Sequence, residues 1–287
     1  MLFIDWNHLL ILIAINGVAA LGYYVTLSSG QLSIGHGALF ALGGYVAALT
    51  ALHCDAPAVV YLLAGGLGGA VPGYLLSLVT LRLRDIYFAV ATFGFGGAVV
   101  ELIGHLDFFN GQFGLGGVAM YTTLPLALGT LACAVFMVWR WDRSLNYPLA
   151  AATRFDPDVA LVLGIDVRAI RRATFALGAG TVGVAGALYV GSTTIITPQD
   201  GSFEISLALL LMVVIGGTRS WRGPVLGAIL WTLLPELLRF ASTWRLVLFG
   251  AVAIVLMAVR PQGIVGRSRV RGAGREHPAT SEALSRH

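Results

Sequence analysis

Long apolar runs separated by short polar breaks set the pattern of the chain. The runs fall at 9–27, 30–52, 58–81, 86–103, 124–139, 173–190, 205–215, 224–238 and 246–259. Most approach the roughly 20 residues that an α-helix needs to cross the hydrocarbon core of a bilayer. The shorter period-two segments of an outer-membrane barrel are absent. The pattern therefore predicts an all-α integral membrane protein, a polytopic helical bundle of about eight or nine transmembrane segments. Small residues recur four apart on three runs: Gly43, Ala47 and Ala51; Gly65, Gly69 and Gly73; Ala179, Gly183 and Ala187. Such stripes let helix backbones approach closely in lipid. Pro72 is expected to kink its run. The first run lacks a basic leader and a cleavage site, and reads as a retained span.

Two breaks lie inside apolar sequence, at Gly30–Gly37 (GQLSIGHG) and at 216–224 (GGTRSWRGP). Gly, Gln, Ser and His at membrane depth are tolerated only against protein or a water-filled cavity. Broken or re-entrant helices of this kind line substrate paths, where free N–H and C=O groups can hold a zwitterion. An interfacial turn solvated by headgroups would carry the same residues at 30–37. At 216–224, a plain turn with an interfacial Trp and two arginines is the simpler reading, with Gly223 and Gly227 forming a GxxxG pair. Residues 110–117 (NGQFGLGG) are a Gly-rich loop, either folded for a partner or a flexible turn. Glu101, His105 and Glu236 sit near run ends, where a snorkelled charge is commoner than a proton relay.

The stretch 140–172 is the one long polar interruption, with six arginines and four aspartates. Asp156-Pro157-Asp158 suits a helix start. The run 159–163 would form a short apolar helix ending near Gly164. It reads either as a docking device or as an amphipathic connector on the headgroups.

Composition agrees with a membrane body: 57% of residues are hydrophobic and 11% charged, against about a quarter charged in soluble domains. All 18 basic side chains other than histidine are arginine. Without a lysine the chain holds no GxxxxGK[ST] phosphate loop. Basic residues here report membrane orientation, not nucleic-acid binding. The arginines at 82 and 84, at 140–172 and at 260–275 should share the cytoplasmic side, together with the breaks at 28–30 and 219–222. Nine segments then place the amino terminus outside. Eight, with 205–238 partly re-entrant, place it inside. Arg239 and Arg245 fall on the wrong side of the nine-segment count. Cys54 and Cys133 suggest neither a disulfide nor a metal framework. No HExxH or GxSxG motif and no metal cluster occurs.

Taken together these stretches resemble the permeases of branched-chain amino acid ABC transporters, and most nearly the M-type permease subunit. The resemblance is carried by residues 30–51 (GQLSIGHGALFALGGYVAALTA) and 81–103 (LRLRDIYFAVATFGFGGAVVELI). It continues through 110–115, the coupling motif across Ala152-Thr153-Arg154 to Ile165, 185–191, 202–228, 235–239 and 261–266. Two acidic positions of the family's coupling motif are Pro157 and Leu161 here.

The resemblance implies a transmembrane permease domain over 1–266, with a cytoplasmic coupling loop at 140–172 and a disordered cytoplasmic tail at 267–287. It implies a multi-pass protein of the bacterial cytoplasmic membrane that works with a second permease subunit, two ATP-binding subunits and an extracytoplasmic solute-binding protein. ATP would be bound by partners, and no cofactor by this chain. Gln31, Ser33, His36, Thr92 and Phe95 are the expected substrate-path residues. Arg154, Asp156, Val159, Ala160, Leu163, Gly164 and Ile165 are the expected ATPase-coupling residues, with the apolar ones filling a groove and Arg154 and Asp156 at its rim. The implied substrate is a branched-chain or other hydrophobic amino acid, with urea, short amides and small organic acids open. An ion-coupled transporter or channel would instead need acidic or histidine groups within the spans. Only His36 stands where one could act.

Overall fold

The computed structural model describes residues 6–80, 83 and 85–237. The expected span at 246–259, the motif at 261–266, the tail at 267–287, Arg82, Arg84, Arg239 and Arg245 lie outside the described residues. The elements, in chain order, are α1 (Trp6–Ser28), α2 (His36–His53), α3 (Ala58–Thr80), α4 (Asp85–His105), β1 (Leu115–Gly116), α5 (Leu124–Asp142), α6 (Asn146–Phe155), α7 (Pro157–Val162), α8 (Val167–Thr193), β2 (Ile195–Ile196), α9 (Phe203–Gly216) and α10 (Arg222–Leu237).

Among the described residues six helices, α1–α5 and α8, are long and apolar enough to cross a membrane. With α9 (14 residues) and α10 (16 residues) they make up the bundle. At 1.5 Å per residue α9 reaches about 21 Å, short of the roughly 30 Å hydrocarbon core, while α10 is described as far as Leu237. Over the described part of the run at 205–238 the chain forms two helices joined by the turn at 217–221. Pro72 lies inside α3 without ending it.

After two turns that carry three arginines, α8 is buried over most of Thr174–Ser192. It sits at the centre, packed against α1, α2 and α3. The three small-residue stripes meet on it. A Cβ on Gly65 would come within 2.6 Å of the Ala187 Cβ, one on Gly69 within 3.0 Å of the Gly183 Cα, and one on Gly73 would strike the Ala179 Cβ. A Cβ on Gly43 would run into the Gly183 backbone from the α2 side. Helices α5 and α10 pack against the outer side of α1, and α9 against α10. One polar bond joins α1 to α10 between spans, from Asn16 Nδ2 to Thr232 Oγ1 at 2.9 Å. The GxxxG pair works within the chain: Gly223 meets Gly216 and Gly217, and Gly227 meets the Met212 carbonyl, so α9 and α10 touch through backbone.

The two ends of the bundle differ. At one end lie the break after α1, the helices α6 and α7, and the 217–221 turn. Thr153 Oγ1 donates to the Ser29 carbonyl, Tyr147 to the Arg219 carbonyl, and the Trp221 N–H to Asp142. These segments, expected on one side, share one end of the bundle; 260–275, expected with them, lies outside the described residues. Leu83 also packs there, against the cluster around Phe175. At the other end β1 and β2 pair antiparallel, Leu115 with Ile196 and Gly116 with Ile195. Residues 110–117 are thereby a folded loop. Asn110, Gly111, Gly114 and Gly117 all take positive φ, and a Cβ on Gly114 would strike the Ile196 carbonyl.

Candidate functional site

Two of the stretches singled out by sequence have a specific geometry. The first is the break between α1 and α2. Unpaired backbone N–H and C=O groups are costly away from water, and neighbouring helices supply partners for this one. The Ile34 N–H donates to Thr92 Oγ1 of α4 at 2.9 Å. Tyr23 of α1 donates to the Ser33 carbonyl at 2.8 Å, and the Gly37 N–H donates to Ser206 Oγ of α9 at 2.8 Å. Gln31 Nε2 donates to Ser29 Oγ and to the Arg171 carbonyl, both at 2.8 Å, and to Thr174 Oγ1 at 3.2 Å. Ser29 and Thr174 share a hydroxyl bond of 2.8 Å. His36 is fully buried, with Nε2 3.1 Å from Thr26 Oγ1 and its ring edge-on to Tyr23 and Phe175.

The expected path residues are therefore placed as follows. Gln31, Ser33, His36 and Thr92 are buried and Phe95 is half-buried against the core. The backbone groups expected to be free for a zwitterion are taken by Thr92, Tyr23 and Ser206. In this conformation the break is a closed knot that ties α1, α4, α8 and α9 together, and its polar groups face protein rather than an open cavity.

The second stretch is α7. Asp156 caps its amino end, Oδ1 accepting from the Asp158 and Val159 N–H groups at 2.9 and 3.0 Å, with Pro157 at the first helical position. The carboxyl end is a Schellman motif. The Ile165 N–H donates to the Ala160 carbonyl and the Gly164 N–H to that of Leu161, each at 3.0 Å, with Gly164 at φ +77. Asp166 then caps α8, its carboxylate accepting the Ala169 N–H at 2.9 Å. Isolated six-residue helices do not hold in water, so the two caps are what keep α7 formed.

What α7 and the residues at its two ends display is apolar. Phe155 is 89% exposed, Val162 88% and Leu163 70%, and Val159 and Leu161 are also exposed. Ala160 is 1% exposed, turned into its own chain against α6 and α8. That corrects its expected place in the groove contact: the residue that holds α7 down cannot also project outward. Asp156 is engaged as a cap through Oδ1 and stays exposed. Ile165 is half-buried and Arg154 exposed. Phe155, Leu161 and Val162 were not anticipated, because six residues are too few for periodicity to say which face turns out. The signal available was Leu161 itself, apolar at an otherwise acidic position.

Gly164 has open space around it, with nothing within 4 Å of where a Cβ would sit, but its φ is left-handed. Gly164→Val should therefore fray α7 through backbone strain of about 1–2 kcal/mol. Gly164→Asn should be milder. Faster amide exchange over 157–163 in the Val variant alone would bear this out. Equal exchange in both would contradict it.

Comparison with known proteins follows this geometry. The family model "Branched-chain amino acid transport system / permease component" matches residues 7–259. The high-affinity branched-chain amino acid transport system permease protein LivM of Escherichia coli K12 is 28% identical over 288 aligned positions, covering 88% of this chain and 68% of the relative. LivH of the same strain is 26% identical, covering 88% and 91%. A probable LivM of Methanocaldococcus jannaschii is 22% identical, covering 69% and 65%. No solved structure matches. The six span-length helices agree with a multi-pass membrane permease. With its match running from α1 beyond the last described helix, this chain belongs to the family of branched-chain amino acid transport system permease components.

Proposed function

We propose that the chain is a permease subunit of an ATP-driven importer in the bacterial inner membrane that moves branched-chain or other hydrophobic amino acids into the cytoplasm. It acts beside a second permease subunit, with two ATP-binding subunits on the cytoplasmic side and a solute-binding protein outside. The single observation that carries this reading is α7: a short helix capped at both ends that holds apolar side chains out from the bundle. A helix presenting such anchors suits a partner's groove, and full burial of each large anchor contributes about 1.5–3 kcal/mol. Similarity to two differently named permease proteins of one strain, LivM and LivH, supports the second subunit.

The mechanism is alternating access. An ATPase gripping Phe155, Val159, Leu161, Val162 and Leu163 pushes on α7. Only Gly164–Asp166 separate α7 from α8, so the push reaches the central helix directly. The first two turns of α8 hold the break through Thr174 and the Arg171 carbonyl, by way of Gln31 and Ser29. Moving α8 therefore loosens the knot at Gly30–Gly37. Backbone groups of the break, with Gln31, Ser33, His36, Thr92 and Phe95 around them, then line the path.

Reconstitution tests the reading. Vesicles holding this chain, its partner permease and the ATPases should take up branched-chain amino acid only with ATP inside the ATPase compartment and with the binding protein on the opposite side. ATP-independent uptake by this chain alone, driven by an ion gradient, would overturn it.

A further inference from the structure

The α7 end of the bundle carries a cleft of about 520 Å³, bounded by the end of α1, by α6 and by the α9–α10 turn. Leu27, Leu32, Val214 and Phe155 form apolar wall, and Arg154 and Arg219 bring two cations into it. No aspartate or glutamate is among its lining residues as far as the described residues go. Neither guanidinium has a hydrogen-bond or ion-pair partner among the described residues. Of the acidic side chains of this region, Asp142 accepts from Tyr24 and the Trp221 N–H, and Asp156 caps α7 through one oxygen.

Two arginines with no partner and no acid lining the cleft among the described residues suit an anion. They do not suit a zwitterionic amino acid, whose ammonium would find no carboxylate there. Depth adds a second constraint. Leu27 and Ser28 form the last turn of the 23-residue α1, so the cleft opens where a span meets the headgroups. Guanidinium groups match phosphate oxygens in paired, charge-assisted hydrogen bonds. An apolar wall continuing from them into the span region suits an acyl chain.

We propose that this cleft binds an anionic phospholipid of the inner leaflet, its phosphate at Arg154 and Arg219 and one acyl chain along Leu27, Leu32 and Val214. The lipid braces α6 against α1 and the α9–α10 turn, steadying the platform from which α7 projects. The inner-leaflet assignment rests on the cytoplasmic side given to α7 above; the binding chemistry does not.

The test uses the whole chain in nanodiscs of phosphatidylcholine with or without phosphatidylglycerol, with no ATPase present. Native mass spectrometry reads the lipid retained and a thermal melt reads the protection. Phosphatidylglycerol should be retained preferentially and should raise the melting temperature. The double variant Arg154→Gln/Arg219→Gln should retain it about thirtyfold less well, the loss expected for two arginines at an anionic surface. Arg154→Lys/Arg219→Lys should keep most of the preference. Equal phosphatidylglycerol retention by the Gln variant would overturn the proposal. So would loss of the preference in a folded Lys variant, protection by inorganic phosphate in pure phosphatidylcholine, or displacement of the lipid by leucine. Because no ATPase is present, a failed α7 docking test leaves this result standing, and the converse holds.

Discussion

Gly183→Leu should remove the protein from the membrane, cutting its folded abundance more than tenfold. Gly183 lies where α2, α3 and α8 touch through backbone. A Cβ there would strike the Gly65 carbonyl and come within 3.0 Å of the Gly69 Cα and N. These are backbone atoms that no rotamer change can clear. Overpacking a core typically costs about 1–3 kcal/mol, and more where backbone must move. Here α3 and α8 would have to separate along the contacts of Gly65, Gly69 and Gly73. A loss above about 3 kcal/mol is a large part of the usual 5–15 kcal/mol stability. Gly97→Ala on α4 is the control, since nothing lies within 4 Å of its Cβ position; it should accumulate normally. Quantifying detergent-extracted, monodisperse protein checks both. Wild-type yield of the Gly183→Leu protein would mean that α3 and α8 do not meet in this register.

The second large effect falls on α7. Val162→Asp with Leu163→Asp should leave membrane abundance unchanged and lower ATP-dependent uptake by at least about thirtyfold, as expected when anchors worth about 2 kcal/mol or more are lost from an interface. Both side chains point away from their own chain, so their replacement leaves the bundle intact. A carboxylate in an apolar groove is desolvated without a partner. Co-purification of the ATPase subunits reads the docking directly. Ala160→Asp would be uninformative, because Ala160 is buried against α6 and α8 and its loss would act through folding. Wild-type uptake and ATPase recovery in the double Asp variant would remove α7 as the docking element.

Much of the bundle was legible along the chain. Continuous apolar length predicts helices, and the runs at 58–81 and 86–103 became α3 and α4 nearly residue for residue. The stripes at Gly65–Gly69–Gly73 and Ala179–Gly183–Ala187 also announced close approach. A four-residue repeat of small side chains has one dominant physical use in lipid. Asp156-Pro157 and Gly164 marked the ends of α7 because caps depend on local residue chemistry. What the runs could not convey was span count over 205–238. Helix length there depends on where the chain turns, and the α9–α10 hairpin closes through Gly216, Gly223 and Gly227.

Sequence alone thus determined that this is a helical membrane protein, which faces are smooth enough to touch backbone to backbone, and that one charged loop carries a capped apolar helix. Tertiary structure decided which stripe meets which. It turned Ala160 inward and Val162 outward, and it closed the polar break with groups from Thr92, Thr174 and Ser206, far off in sequence. The physical reason is range. Hydropathy, caps and small-residue spacing act within a few turns of one helix. The partners of a buried hydroxyl or backbone N–H, and the side of a six-residue helix left bare, depend on helices brought together from distant parts of the chain.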